Sequence, residues 1–174
     1  MGTEIERRFR VNLGLLCPNG EDGKTMPKGR YIKQGYLGEA PAIRVRIMSY
    51  DDRPPSDHPA TATLTIKTKG VVTRGEWNIP LPWDALKPMA PELIALAEHG
   101  VIEKIRYGLK VKQTDWELDR FLGAHEGLWL AEVELPSEDA PFDRPPWLGE
   151  EVTADERFTN ANLAKTTERF WASV

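Results

Sequence analysis

Charged residues two positions apart recur along this chain, a spacing that lets neighbouring side chains act on one target. Glu4, Glu6 and Arg8 alternate with Ile5 and Phe9, and Arg44 and Arg46 alternate with Ile43, Val45 and Ile47. Lys67 and Lys69 oppose Leu64 and Ile66, Arg74 and Glu76 oppose Trp77 and Ile79, and Lys104 and Arg106 oppose Ile105 and Tyr107. Glu117 and Asp119 then oppose Trp116 and Leu118, and Glu132 and Glu134 oppose Val133 and Leu135. On a β-strand, residues i and i+2 project to the same side, so each pair points into one space. Any single pair of this kind is ordinarily a solvated sheet face. The series differs because sign is segregated by strand: acids on the first and last two segments, bases on the middle ones. A solvated face mixes signs, since cross-strand neighbours of opposite charge are favoured.

A wall of arginines and lysines calls for a multiply charged anion, and the planar guanidinium fits phosphate oxygens two at a time. A wall of carboxylates offers only hard oxygen ligands, which suit Mg²⁺ or Mn²⁺ rather than zinc. Like charges enclosed without partners are too costly to persist. The two walls together specify a complex of a divalent metal with a polyphosphate.

The elements that must position these walls read as short strands: Thr3–Val11, Arg30–Leu37, Ala42–Tyr50, Thr61–Lys69, Val72–Pro80, Ile102–Lys110, Gln113–Phe121 and Leu128–Pro136. Glycine and proline, 14 of each, gather in clusters between them, with Pro18–Gly29 and Asp51–Pro59 reading as loops. Trp83–His99 reads as a helical region containing Pro88 and Pro91 and stopped by Gly100, and Asn160–Trp171 as a C-terminal helix capped by Asn160 or Asn162. The faces opposite the charges are bulky and need their own cover. A sheet closed on itself as a β-barrel of α+β class, charged inside and packed outside by helices, with a C-terminal helix, satisfies both demands, and eight strands leave room for one small ligand.

Composition narrows the field further. The chain has 174 residues, 40% hydrophobic and 29% charged, with a net charge of −4. That points to a single soluble cytoplasmic domain over 1–174, with no membrane span and no general nucleic-acid-coating surface. One cysteine, Cys17, rules out a disulfide framework, and His58, His99 and His125 are too scattered for a histidine metal site. Gly23-Lys24-Thr25 imitates the end of a phosphate loop, but Pro18 stands where the first glycine belongs and Pro27 blocks the helix that should follow. Glu150-Glu151 reads as a solvated or helix-starting pair.

Glu4-Ile5-Glu6-Arg7-Arg8-Phe9 resembles the ExExK signature of the CYTH superfamily, the triphosphate tunnel metalloenzymes. Gln34-Gly35-Tyr36-Leu37 is similar to that family's QGYL strand, and Ile43-Arg44-Val45-Arg46 to its paired-arginine strand. Leu64–Lys67, Glu103–Tyr107, Glu117–Asp119 and Glu132–Glu134 match later strands in order, and Pro146–Thr153 resembles the tail of short bacterial members. The departure is Arg8, a planar fork where the signature has the compact ammonium of lysine.

The resemblance implies an eight-stranded antiparallel β-barrel, a tunnel that hydrolyses or rearranges triphosphates with Mg²⁺ or Mn²⁺. Carried over residue by residue, it implies metal ligation by Glu4, Glu6, Glu132 and Glu134, with Asp119 a further candidate. It implies phosphate binding by Arg8, Arg44, Arg46, Lys67, Arg74, Lys104 and Arg106, and a catalytic set of Lys104, Tyr36 and Glu6. The expected activity is cleavage of inorganic tripolyphosphate to pyrophosphate and phosphate. The rivals are an adenylate cyclase, a thiamine triphosphatase or a nucleoside triphosphatase of the same family, or a polyphosphate- or nucleotide-binding module without turnover. The partner is a triphosphate-containing small molecule in every case.

Overall fold

A computed structural model of the chain describes residues 5–16, 26–39, 42–55, 60–67, 76–82 and 89–173. Nine strands form one antiparallel sheet: β1 (Ile5–Val11), β2 (Arg30–Glu39), β3 (Ala42–Ser49), β4 (Ala60–Lys67), β5 (Glu76–Leu81), β6 (Ile102–Val111), β7 (Thr114–Phe121), β8 (Trp129–Leu135) and β9 (Leu148–Glu151). Their order across the sheet is β5-β4-β3-β2-β6-β7-β8-β1-β9. The antiparallel architecture is the one the family resemblance implies. It departs from an eight-stranded closed barrel in two respects: a ninth strand is added beside β1, and the edges β5 and β9 do not pair among the described residues, leaving a curled sheet.

Two helices accompany the sheet, α1 (Ala90–Ala95) and α2 (Asn160–Leu163). The first is a short piece of the region expected over Trp83–His99, whose residues 83–88 lie outside the described set, and it has Pro91 in its first turn, where a missing N–H costs nothing. The C-terminal helix is much shorter than its expected Asn160–Trp171: α2 ends at Leu163, and a 3₁₀ turn follows at Phe170–Ser173. Its cap is Thr159, whose hydroxyl accepts from the Asn162 amide, rather than Asn160 or Asn162. No helix among the described residues is long and apolar enough to cross a membrane.

Strand parity explains where the core lies. On the convex face of β1, β7 and β8, Phe9, Trp116, Leu118, Ala131, Val133 and Leu135 pack with Trp147. On the convex face of β3 and β4, Val45, Ile47, Ala60 and Ala62 are covered by Ile94 of α1. That helix lies so close to β2 that a side-chain carbon at Gly35 would meet Ala97 Cβ at 3.0 Å and the Ile94 carbonyl at 3.2 Å.

The third cluster is on the other face. Phe121 stands two residues from Asp119 and Leu130 two from Glu132, so both share the charged side of the sheet. There they pack with Ile102, Leu128, Val152, Phe158, Leu163, Ala164 and Trp171. The concave face is thus charged at its centre and closed at one end by the C-terminal segment.

Candidate active site on the concave face

Register sets the charged rows. Arg8 lies opposite Glu132, which lies opposite Glu117; Glu6 lies opposite Glu134; Arg106 lies opposite Asp119. On β2 and β3, Gln34 lies opposite Arg46 and Tyr36 opposite Arg44. Alternation therefore brings Glu6, Arg8, Tyr36, Arg44, Arg46, Lys104, Arg106, Asp119, Glu132 and Glu134 to one face, as the sequence spacing requires. Glu4 and Arg74 lie outside the described residues, as do Lys69, Cys17, His58 and the Gly23-Lys24-Thr25 segment. Lys67 ends β4, opposite Glu76, with its side chain outside the description.

The acidic wall deepens inward. Glu117 and Glu134 are exposed, whereas Glu132 and Asp119 are buried. A cavity of about 650 Å³ is lined by Glu6, Glu117, Glu132 and Glu134, with Gly108, where an added Cβ would meet nothing within 4 Å, on the neighbouring strand.

Each deep carboxylate is held by a base. Arg106 donates from Nε to Asp119 Oδ1 at 2.7 Å, from Nη2 to Asp119 Oδ2 at 2.6 Å and to Glu132 Oε2 at 2.8 Å, and it also pairs with Glu117. Arg8 donates from Nε to Glu132 Oε1 at 2.9 Å and pairs with Glu6. Lys104 Nζ, fully buried, donates to Asp119 Oδ2 at 2.5 Å and to Asn160 Oδ1 at 3.1 Å.

These contacts set the protonation states. Burial alone raises Asp119, but the charges of Arg106 and Lys104 and their hydrogen bonds hold it well below the ordinary carboxylate range. Glu132 is balanced the same way: burial and Asp119 push it up, while Lys104, Arg106 and Arg8 bring it below its usual value. Glu6 goes the other way, raised by burial and then by Glu132 despite Arg8. Burial lowers Lys104 to about 8, with Asp119 opposing the shift.

The β2–β3 wall differs in kind. Arg46 donates from Nε to Gln34 Oε1 at 3.0 Å, and Gln34 Nε2 donates to the Tyr36 hydroxyl at 3.1 Å. Arg44 Nη2 donates to Thr65 Oγ1 at 2.9 Å, and that hydroxyl donates to Asn78 Oδ1 at 2.7 Å. Arg44 Nε is buried with no hydrogen-bond partner. Burial, Arg44 and Arg106 bring the Arg46 guanidinium down to about 10, and burial raises the Tyr36 phenol. Two guanidiniums side by side, braced by an amide and a hydroxyl, are positive charge in need of an anion.

Among the described residues Tyr36 accepts from Gln34, while Lys104 donates to Asp119 and Asn160. Four neutral residues, Gln34, Thr65, Asn78 and Asn160, complete the site without a role read from sequence. Strand parity with Tyr36 and with Lys67 was the available signal for Gln34 and Thr65. For Asn160 there was none. Glu151, at the end of β9, pairs with Arg7 on the opposite face, which places Glu150-Glu151 on a strand rather than at a helix start.

A curled antiparallel sheet whose concave face carries a basic wall and a carboxylate wall, with a cavity beside the carboxylates, has the charges of a receptor for a polyanion. The CYTH domain model matches residues 2–170, and the chain belongs to that family. It is 37% identical over 166 residues to a protein of Acetivibrio thermocellus named inorganic triphosphatase, covering 95% of each. It is 35% identical to one of the same name from Nitrosomonas europaea, covering 93% of this chain and 97% of that one. The crystal structure of an inorganic triphosphatase superposes with a TM-score of 0.63 at 32% identity, covering 95% of this chain and 97% of that one.

Proposed function

We propose that this protein hydrolyses inorganic tripolyphosphate to pyrophosphate and phosphate on its concave face, in the cytoplasm and with a divalent cation. The observation that carries the reading is the pair Arg44 and Arg46, whose partners among the described residues are neutral, facing a wall of carboxylates. A pure anion receptor gains nothing from a carboxylate wall that repels its ligand. The names carried by the similar proteins from Acetivibrio thermocellus and Nitrosomonas europaea support the same activity.

Glu6, Glu132 and Glu134 fit a hard cation by chemistry, being oxygen donors on the adjacent strands β1 and β8, and Glu4, which lies outside the described residues, is proposed with them. In the structure Glu6 is engaged by Arg8 and Glu132 by Arg8 and Arg106, and among the described residues no three acidic groups already converge on a metal position. A bound Mg²⁺ or Mn²⁺ supplies charge neutralisation of phosphate oxygens and acidification of a water. Asp119, gripped on both oxygens, is better suited to fixing Arg106 and Lys104 than to ligating metal.

The residues of the chain then divide the work. Arg44 and Arg46 take the phosphate chain from one wall. Lys104 and Arg106 face it from the floor, held at fixed positions by Asp119. As water attacks a terminal phosphorus and the phosphoanhydride bond breaks, charge grows on the departing oxygen and the fixed cations stabilise it without reorganising. Phosphate release from tripolyphosphate, ATP and thiamine triphosphate, each with Mg²⁺, with Mn²⁺ and with excess chelator, tests the proposal. Turnover of tripolyphosphate that stops with chelator is the expected result. Phosphate release from ATP but not from tripolyphosphate overturns the substrate, and undiminished turnover in chelator overturns the metal.

A further inference from the structure

We propose that Asn160 is a positioning residue for Lys104, so that the docked C-terminal segment completes the phosphate-binding floor; this rests on Lys104 contacting the triphosphate. Lys104 is 0% exposed, and its ammonium carries three donors. Among the described residues two find acceptors, Asp119 Oδ2 at 2.5 Å and Asn160 Oδ1 at 3.1 Å, with the Phe121 ring 5.4 Å away. The third donor is left for a ligand.

The two acceptors are not equivalent. Asp119 also carries Arg106 on both of its oxygens, so on its own it draws Lys104 into a tight cluster with that guanidinium. The Asn160 carbonyl adds a second fixed point without adding charge. The ammonium is thereby oriented and keeps its full attraction for phosphate, whereas a second carboxylate there would compete with the substrate.

Asn160 arrives from a separately anchored element. Thr159 caps α2, Leu163 and Ala164 pack on Phe121 and Leu130 in the concave apolar cluster, and the Gly100 amide donates to the Ala164 carbonyl at 2.7 Å. Arg10 Nη2 donates to the Trp171 carbonyl at 2.8 Å, fixing the far end of the same segment. The position of Lys104 Nζ is therefore determined jointly by the sheet and by the C-terminal segment. Misplacing a binding group by about 1 Å costs rate on the order of 10²-fold, so this joint anchoring has a kinetic consequence.

The test combines ¹⁵N NMR of lysine ammonium groups in the full-length protein, the Lys104 signal being assigned by its loss in Lys104→Arg, with tripolyphosphate kinetics in Mg²⁺. In Asn160→Ala the Lys104 signal shifts or is lost to exchange, kcat falls roughly 5- to 20-fold and KM stays within about threefold, with the melting temperature close to the parent's. In the isosteric Asn160→Asp the signal persists, while KM rises at least about fivefold because a new negative charge opposes the triphosphate. An Asn160→Ala protein with an unchanged Lys104 signal, or with kcat within twofold of the parent, overturns the positioning role. If Asn160→Ala does not fold, Asn160→Asp decides, and a KM within twofold of the parent's overturns it. A parent that hydrolyses no tripolyphosphate overturns the proposed function and this role with it; an active parent with indifferent variants overturns the role alone.

Discussion

Glu6 and Glu134 lie directly opposite each other across β1 and β8, two carboxylates in one cross-strand pair. Like charges so placed are destabilising by about 0.2–1 kcal/mol, a cost that a sheet without a cation to bind has no reason to carry. Glu6→Gln is therefore expected to match or exceed the parent's thermal stability in chelator. The same variant should lose the rise in melting temperature that Mg²⁺ confers on the parent, and with it tripolyphosphate hydrolysis. A Mg²⁺-induced rise that survives in Glu6→Gln removes Glu6 from the cation site.

Arg44 and Arg46 give the second prediction. Both are braced by neutral groups, Thr65 and Gln34, and among the described residues no carboxylate is hydrogen-bonded to either, so the loss reports on the substrate. Each alanine variant should lose about 2–4 kcal/mol in kcat/KM, the range for a buried charge-assisted contact. Arg46→Lys should recover little, because a point ammonium cannot both meet Gln34 and present a planar fork to phosphate. Steady-state kinetics with tripolyphosphate measure this, and a variant within twofold of the parent takes that strand out of the site.

The charged walls were legible in the sequence because strand geometry alone puts residues two apart on one face. Eight of nine strands were readable for the same reason. The ninth was not: Leu148-Gly149-Glu150-Glu151 is too short to alternate and is a strand only because β1 offers it an edge, with Phe9 opposite Glu151 and Val11 opposite Leu148. The C-terminal segment is not the continuous helix its sequence predicts, because tertiary contacts decide it. Leu163, Ala164 and Trp171 are all buried on the concave face, a docking that local propensity does not encode. Gln34 and Thr65 share strand parity with Tyr36 and Lys67 but carry no charge to mark them, and Asn78 and Asn160 join the site only through register and docking.

Lys104 supplies a prediction about proton transfer. Burial brings it to about 8, low enough for a base, but Asp119 stands against it, and a bound triphosphate favours the ammonium further. Its hydrogen bonds to Asp119 and Asn160 fit a phosphate clamp that stays protonated during turnover. Lys104→Arg should then keep the shape of the parent's pH dependence of kcat, whatever rate it loses. A parent kcat that climbs through an alkaline pKa and a Lys104→Arg profile that lacks the climb would falsify the clamp and make Lys104 the base.

The last prediction concerns how the C-terminal segment responds to acid. His125 is 3% exposed, stacked edge-on against Phe121 and tilted against Trp171, with its Nδ1 buried and lacking a hydrogen-bond partner. Burial lowers its pKa below the ordinary histidine value of 6.5, only partly offset by the Leu163 backbone. The sign follows from which state takes up the proton first. Above 6.5 the ring is neutral whether folded or unfolded, and His125 adds no pH dependence. As pH falls below 6.5 the unfolded chain binds a proton that the folded chain resists, so stability drops until the folded-state value is also passed. The parent's melting temperature should therefore decline from pH 6.5 downward, and the slope should flatten in His125→Gln, which cannot titrate there. Because the ring packs against Trp171, the fluorescence of that tryptophan, isolated by comparison with Trp171→Phe, should report segment release in the same pH range. An equal slope in His125→Gln assigns the acid sensitivity to the carboxylates of the concave wall instead.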